Sequence, residues 1–377
     1  MIYLDNAATT KMRDECLGVI AEYSCSRFFN PSAPYKPSAD VSREIKDARE
    51  SLKRLLHAPD GDIIFTASGT EADNLAVLCA PRGKRNKALV SASEHSAVYA
   101  SACELEARGC EVVYLPVADG AAVDLSALKG VLDDSVGLVS VMHVNNETGA
   151  VNDLAKIAAL IKKHAPGALF HSDGVQAFGK IPVNLINSGV DMYSLSAHKI
   201  HGPKGVGALF VKKGVRLKPV MFGGGQENGL RSATENVPGI LAFAAAAEHA
   251  VRDLPSNLAK ITALRAEYSG KILAAVPNVI VNGGAENSPN ILNLAFKDLR
   301  GEVLLHALEK RGIYIGTGSA CSSKKHARIS GLLNLPDAYA EGVVRLSFSA
   351  CNTPTETDTV VDAIVAECEV LRKFKRI

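Results

Sequence analysis

Lys199 lies in the run Ser194-Leu195-Ser196-Ala197-His198-Lys199-Ile200-His201-Gly202-Pro203-Lys204-Gly205, where a hydroxyl, an imidazole and a glycine turn surround a primary amine. Such an amine can condense with an aldehyde, which is how proteins anchor pyridoxal phosphate as a Schiff base. A solvated surface lysine is the alternative. Upstream, Thr66-Ala67-Ser68-Gly69-Thr70-Glu71 is a small-residue turn whose backbone N–H groups and Thr70 hydroxyl could hold a phosphate. The same residues also make an ordinary helix cap. Asp173 could pair with a protonated pyridine nitrogen, and the nearby Gln176 amide could bond the ring oxygen; otherwise Asp173 caps the next turn. His95, in Ser93-Glu94-His95, could cover a cofactor ring and exchange protons with a substrate, or be a half-buried structural histidine.

Two more groups stand far downstream. Cys321 occupies the polar run Gly318-Ser319-Ala320-Cys321-Ser322-Ser323, and Lys324, Lys325 and His326 favour its thiolate form. Arg345 alternates with apolar neighbours in Val343-Val344-Arg345-Leu346-Ser347-Phe348, so its guanidinium needs a partner, for which an α-carboxylate is suited. His171, His198 and His201 raise a metal alternative, but Gly202-Pro203 prevents a shared helix face. No metal is expected.

The elements that must position these groups are short apolar runs alternating with helical periods. Runs at 62–66, 88–91, 111–115, 138–142, 168–171 and 191–195 predict an α/β domain with a largely parallel central sheet and helices on both faces. In such a sheet ligands bind beyond the carboxyl ends of the strands, where Thr66, Ser93, Asn145 and Asp173 all fall. Leu154, Ile157, Ala158 and Ile161 share one helical face behind a candidate cap, Asp153. An alanine-rich stretch from Gly239 to about Ala275 predicts one or two long helices. Strands near 279–281, 291–295 and 343–348, with a helix over 300–310, predict a smaller α+β domain. The expected division is 15–255 for the large domain and 1–14 with 256–377 for the small one.

The 377 residues are 47% hydrophobic and 22% charged, with a net charge of +2, which gives no global argument for nucleic acid or membrane binding. The eight cysteines form no C-x-x-C pair, and no export signal or membrane-length apolar run is evident. A reduced, cytoplasmic chain is expected.

Taken together, the motifs resemble the cysteine desulfurase family, the NifS/IscS-like branch of fold-type I pyridoxal-phosphate enzymes. The resemblance runs through Tyr3-Leu4-Asp5-Asn6-Ala7-Ala8-Thr9-Thr10, Asn30-Pro31-Ser32, Gly69-Thr70-Glu71-Ala72-Asp73-Asn74, Glu94-His95, Asn145-Asn146-Glu147-Thr148-Gly149, Asp173-Gly174-Val175-Gln176-Ala177, the Lys199 run, Gly223-Gly224-Gly225-Gln226-Glu227, Arg231-Ser232-Ala233-Thr234-Glu235-Asn236 and Gly318-Ser319-Ala320-Cys321. It implies a homodimer that converts L-cysteine to L-alanine. Lys199 would carry the cofactor, Asp173 would pair with its pyridinium, Gln176 would contact its ring oxygen and His95 would stack on the ring. Gly69, Thr70, Ser196 and His198 would hold the phosphate, with Thr234 reaching it from the other subunit. Asn146 and Arg345 would hold the substrate carboxylate. Cys321 would take the sulfur as a persulfide and pass it to an acceptor such as an iron–sulfur scaffold or a thiolation enzyme.

The sequence departs from the family pattern at Asn228, at Ala233 and over Ala33-Pro34-Tyr35-Lys36-Pro37. Ala233 adds a Cβ that a glycine-only backbone conformation would refuse. Two other readings remain open: selenocysteine lyase or another β-elimination on the same scaffold, and a non-catalytic sulfur-carrier platform.

Overall fold

In the computed structural model, which describes residues 1–80, 84–317 and 331–373, the predicted alternation becomes two sheets. The strands in chain order are β1 (Ile2–Leu4), β2 (Gly61–Thr66), β3 (Lys87–Ser91), β4 (Glu111–Leu115), β5 (Val136–Ser140), β6 (Leu169–Asp173), β7 (Met192–Ser196), β8 (Gly207–Lys212), β9 (Val279–Asn282), β10 (Ile291–Phe296), β11 (Ile313–Thr317) and β12 (Val343–Ser347). The larger sheet has the order β2-β8-β7-β6-β5-β3-β4 and the smaller β1-β11-β12-β10-β9.

In the larger sheet β4, β3, β5, β6 and β7 pair in parallel, and β8 runs antiparallel to both β7 and β2. Six of the seven strands therefore point the same way, and Thr66, Ser91, Ser140, Asp173 and Ser196 end along one edge. Strand side chains alternate between faces. Leu89 and Val139 accordingly enter one apolar core with Phe170, Leu52 and Phe243, whereas Ala88, Val90 and Leu138 enter another with Leu75, Val98 and Leu105. Helices cover both faces, as burial of a parallel sheet requires.

Asp153 caps its helix as expected: its carboxylate accepts the Lys156 N–H at 3.0 Å, and the helix runs Leu154–His164. The alanine-rich stretch is two helices, Val237–Arg252 and Leu254–Ala275, which meet at Asp253. The first helix packs its small residues against the large sheet's core; the second turns Ile261, Leu264, Tyr268 and Ile272 into the small sheet's core with Phe296 and Phe348.

The amino terminus belongs to the smaller sheet. β1 pairs in parallel with β11, with Ile2 opposite Ile313 and Leu4 opposite Ile315. Past β1 the chain crosses to the large sheet, where the Thr10 N–H and hydroxyl both donate to the His198 carbonyl, at 3.0 and 2.9 Å. This link brings the two sheets' functional edges together.

Two sequence departures are accommodated locally. Ala233 is not among the residues with positive φ, so its Cβ meets no backbone objection. Asn228 adopts φ +57°, a conformation Asn tolerates well, and its amide donates to Asp62 Oδ2 at 2.5 Å.

Candidate active site

The aligned strand ends and the amino-terminal crossing enclose a cavity of about 630 Å³. Gly69, Thr70, His95, Asn146, Asp173, Gln176, Ser196, His198, Lys199 and Arg345 all line it. Ten of the residues singled out by type and motif thus converge from segments spread over most of the chain. Cys321 lies outside the described residues. Thr234 is exposed and is not part of this wall.

One end of the cavity is built for an anion. Ser68 accepts the Glu71 N–H at 3.1 Å and so caps the helix Gly69–Cys79, whose first residues face the cavity. Helix amino termini present unpaired N–H groups and positive potential. A Cβ at Gly69 would meet Val175 Cγ2 at 2.8 Å and Ser196 Cβ at 3.3 Å, so a glycine is needed for the turn to sit this close to the end of β7. The Ser196 hydroxyl and the His198 ring complete the rim. His198 Nδ1 lies 3.1 Å from Thr9 Oγ1, and burial, followed by the Lys199, Lys180 and Lys204 charges, pushes its pKa down to about 4.

Lys199 follows β7 on a single tight turn, Ala197–Lys199, that continues directly from the strand end. Its Nζ donates to the Ala7 and Ala8 carbonyls at 2.6 and 2.7 Å. These backbone acceptors carry no side-chain signature, and residue types alone gave no signal for them.

At the end of β6 the Asp173 side chain accepts the Val175 N–H at 2.9 Å. Burial raises its pKa, while the nearby His95, the Val175 N–H and the Lys199 charge pull the other way. Gln176 also lines the cavity, but its amide is engaged: Nε2 donates to the Ala7 carbonyl at 2.8 Å and Oε1 accepts from Lys180 Nζ at 2.6 Å. Lys180 was not foreseen. Burial, then the Lys199 and Arg345 charges, hold its amine well below the usual lysine range.

His95 Nδ1 accepts the Ala97 N–H at 3.1 Å, so in the neutral ring the proton sits on Nε2. His95 is therefore both the cap of the helix Ser96–Ala107 and part of the cavity wall.

The smaller sheet supplies the opposite wall. Arg345 donates through Nη1 to the Asn146 carbonyl and through Nη2 to Asp5 Oδ1, both at 2.7 Å. The sequence called for a partner, and Asp5 is one. Arg345 Nε nevertheless remains buried without a hydrogen-bond partner, and so does Thr317 Oγ1 beside it in the cavity wall. A buried orphan donor is costly. An incoming carboxylate would satisfy it.

Among the described residues, the one group with the spacing of a metal site is Asp73, His95 and Asp173, within 4.8 Å of one another. His171, by contrast, is fully buried between the Ser140 and Ser194 hydroxyls, at 2.9 and 3.0 Å.

The donor set fits pyridoxal phosphate: an anion cradle that a Cβ at Gly69 would disrupt, an amine beside it, and a buried carboxylate at the far end. Comparison with known proteins agrees. The class-V aminotransferase family profile matches residues 2–360. A cysteine desulfurase of Gluconacetobacter diazotrophicus is 40% identical over 380 residues, covering 99% of this chain and 94% of that protein. A solved NifS-like protein superimposes with a TM-score of 0.92 at 32% identity, covering 98% of this chain and 100% of that one. A structure described as SspA in complex with cysteine has a TM-score of 0.81 at 28% identity, covering 94% of this chain and 100% of that one.

Proposed function

This chain belongs to the class-V aminotransferase family, and from that membership we propose that its cavity removes sulfur from L-cysteine, leaving L-alanine. The chain is a pyridoxal-phosphate enzyme of the cysteine desulfurase kind. The observation that carries the residue assignments is the meeting of Lys199, Asp173 and Arg345 in one cavity, with a buried unpartnered donor on Arg345.

Pyridoxal phosphate, when bound, supplies an electron sink for the carbon next to the amino group of its substrate. Lys199 is assigned as its anchor and Asp173 as the acid facing its pyridine nitrogen. Gln176 is assigned to the ring oxygen and His95 to the ring face. Gly69, Thr70, Ser196 and His198 are assigned to the phosphate. Thr234, exposed here, is assigned to the same phosphate in a second copy of the chain. A homodimer is further supported by Val220, Met221 and Phe222, which expose 57%, 40% and 82% of their surface nearby in the sequence.

Arg345 and Asn146 orient the substrate through its carboxylate. Lys199 Nζ takes the proton from Cα. The Cys321 thiolate then attacks the substrate sulfur: an S–S bond forms, the Cβ–S bond breaks, and its electron pair ends, after protonation, as the methyl group of alanine. The persulfide left on Cys321 suits delivery to a protein acceptor, an iron–sulfur scaffold or a thiolation enzyme.

We assign residues 15–255 to a cofactor-holding domain and 1–14 with 256–377 to a smaller one; β1's place in the smaller sheet supports that division. No described helix is long and apolar enough to cross a membrane. A cytoplasmic location is supported by seven described cysteines that are all free.

The deciding experiment is single-turnover desulfuration by Cys321→Ser. Cofactor absorbance should be retained and persulfide on the enzyme abolished. Alanine released from cysteine at the parent rate would refute the role of Cys321, and pyruvate in place of alanine would favour β-elimination.

A further inference from the structure

Asp73 has no part in the steps above, yet it lies directly beneath them. It sits on the helix Gly69–Cys79, lines the cavity and is 1% exposed. Its Oδ1 is out of contact with solvent and accepts no hydrogen bond. Carboxylate oxygens of Asp73 and Asp173 and a ring nitrogen of His95 all fall within 4.8 Å of one another. From β6, His171 Nε2 approaches Asp73 Oδ1 at 3.7 Å while lying closer, at 3.0 Å, to the Ser194 hydroxyl of β7. From the segment after β3, Glu94 adds a further negative charge. Among the described residues, neither a lysine nor an arginine pairs with Asp73.

Two carboxylates this close and this deep in protein, with the His95 ring as the one titratable base within 4.8 Å of both, do not both ionise while that ring is neutral. One keeps a proton. Asp173 has the better claim to the charge, because it accepts the Val175 N–H and has His95 and Lys199 beside it. Asp73 Oδ1 accepts no hydrogen bond, and the one donor that favours its anion is the Ser194 hydroxyl, outweighed by burial.

We propose that Asp73 remains a neutral carboxylic acid in the folded protein and is a positioning residue: by keeping its proton it leaves Asp173 as the carboxylate that meets the pyridine nitrogen. The inference rests on the role assigned to Asp173 in the proposed function. Burial and the Asp173 charge raise the pKa of Asp73 well above the ordinary carboxyl value, against a smaller opposing effect of Ser194. The same burial pushes His171 down to about 3, so the imidazole does not take the proton instead.

The test combines infrared difference spectroscopy of the full chain at neutral pH, with and without pyridoxal phosphate, with the nitrogen-15 resonance of labelled cofactor. A protonated-carboxyl stretch should be present in both forms and vanish in Asp73→Asn, while the cofactor's pyridine nitrogen stays protonated in parent and variant. A protonated pyridine shows that Asp173 is ionised, so a band lost with Asp73 can belong only to Asp73. Unfolding gives a second measure. The folded chain holds a proton that the unfolded chain releases, so the parent's unfolding constant should rise relative to Asp73→Asn by up to roughly tenfold per pH unit above the ordinary carboxyl range. No acid band, a band that survives in Asp73→Asn, or a doubly protonated His171 overturns the proposal. A cofactor that fails to bind, or binds with an unprotonated nitrogen, refutes the Asp173 assignment instead.

Discussion

The two walls of the cavity handle charge in opposite ways. On the large-sheet wall, Asp173 at a strand end and Asp73 on the helix Gly69–Cys79 are buried acids without a lysine or arginine in ion-pair contact among the described residues, and their pKa values are raised. On the small sheet, Arg345 is a buried cation already joined to Asp5, with only Nε left over. On the assignments proposed above, the first wall awaits a cationic ring, whereas the second is nearly satisfied and lacks one acceptor for Arg345 Nε. A cofactor that stays and a substrate that turns over call for such a difference, because a deep uncompensated charge favours permanent occupancy whereas a single open donor allows release.

The strongest challenge to this contrast is removal of the amine between the walls. Lys199→Ala should lose the visible absorbance of bound cofactor and lower alanine formation by roughly 10²–10⁴-fold from lost proton transfer alone. Retained absorbance and turnover would detach Lys199 from the chemistry. Arg345→Lys comes next: it keeps the charge but loses the fork, so kcat/KM for cysteine should fall about 100-fold, or ~3 kcal/mol, through a raised KM. A change confined to kcat would place Arg345 elsewhere in the reaction.

Acid should weaken the large-sheet half first. His143 is pushed down to about 4 and His171 to about 3 by burial, so both are neutral when folded. Below the ordinary histidine value the unfolded chain binds protons that the folded chain refuses, and stability falls by about 1.4 kcal/mol per pH unit for each histidine. His143→Gln should make that acid limb shallower by one proton, as read from pH-dependent thermal unfolding. The smallest change is Gly174→Ala. Its Cβ would fall 2.0 Å from the buried Tyr193 ring, and the overpacking should cost about 1–3 kcal/mol and lower Tm. An unchanged Tm would mean that the strand end behind Asp173 is looser than its packing indicates.

Much of the large-sheet wall was legible in the sequence, because its groups sit at the ends of strands whose apolar runs announce themselves. Asp173, Ser196 and Lys199 could each be placed at the carboxyl edge from local pattern. β8, antiparallel between β7 and β2, was not visible, since strand direction depends on connections and not on composition. The small-sheet wall was legible only by half. Arg345 on an apolar strand called for a partner, but Asp5 lies 340 positions away. The Ala7 and Ala8 carbonyls on Lys199, and Lys180 on Gln176, left no trace in residue type that could be told from ordinary loop and helix residues.

The sequence by itself therefore determined the alternating large domain, the reactive lysine's turn and the kinds of groups brought to the cavity. Those follow from short-range periodicity and the chemistry of single side chains. Tertiary structure decided which groups are satisfied and which are left over: Arg345 loses two of its donor sites to Asp5 and Asn146, and Asp73 Oδ1 loses water without gaining a donor. Burial is a property of everything packed around an atom, and that packing draws on residues from both ends of the chain.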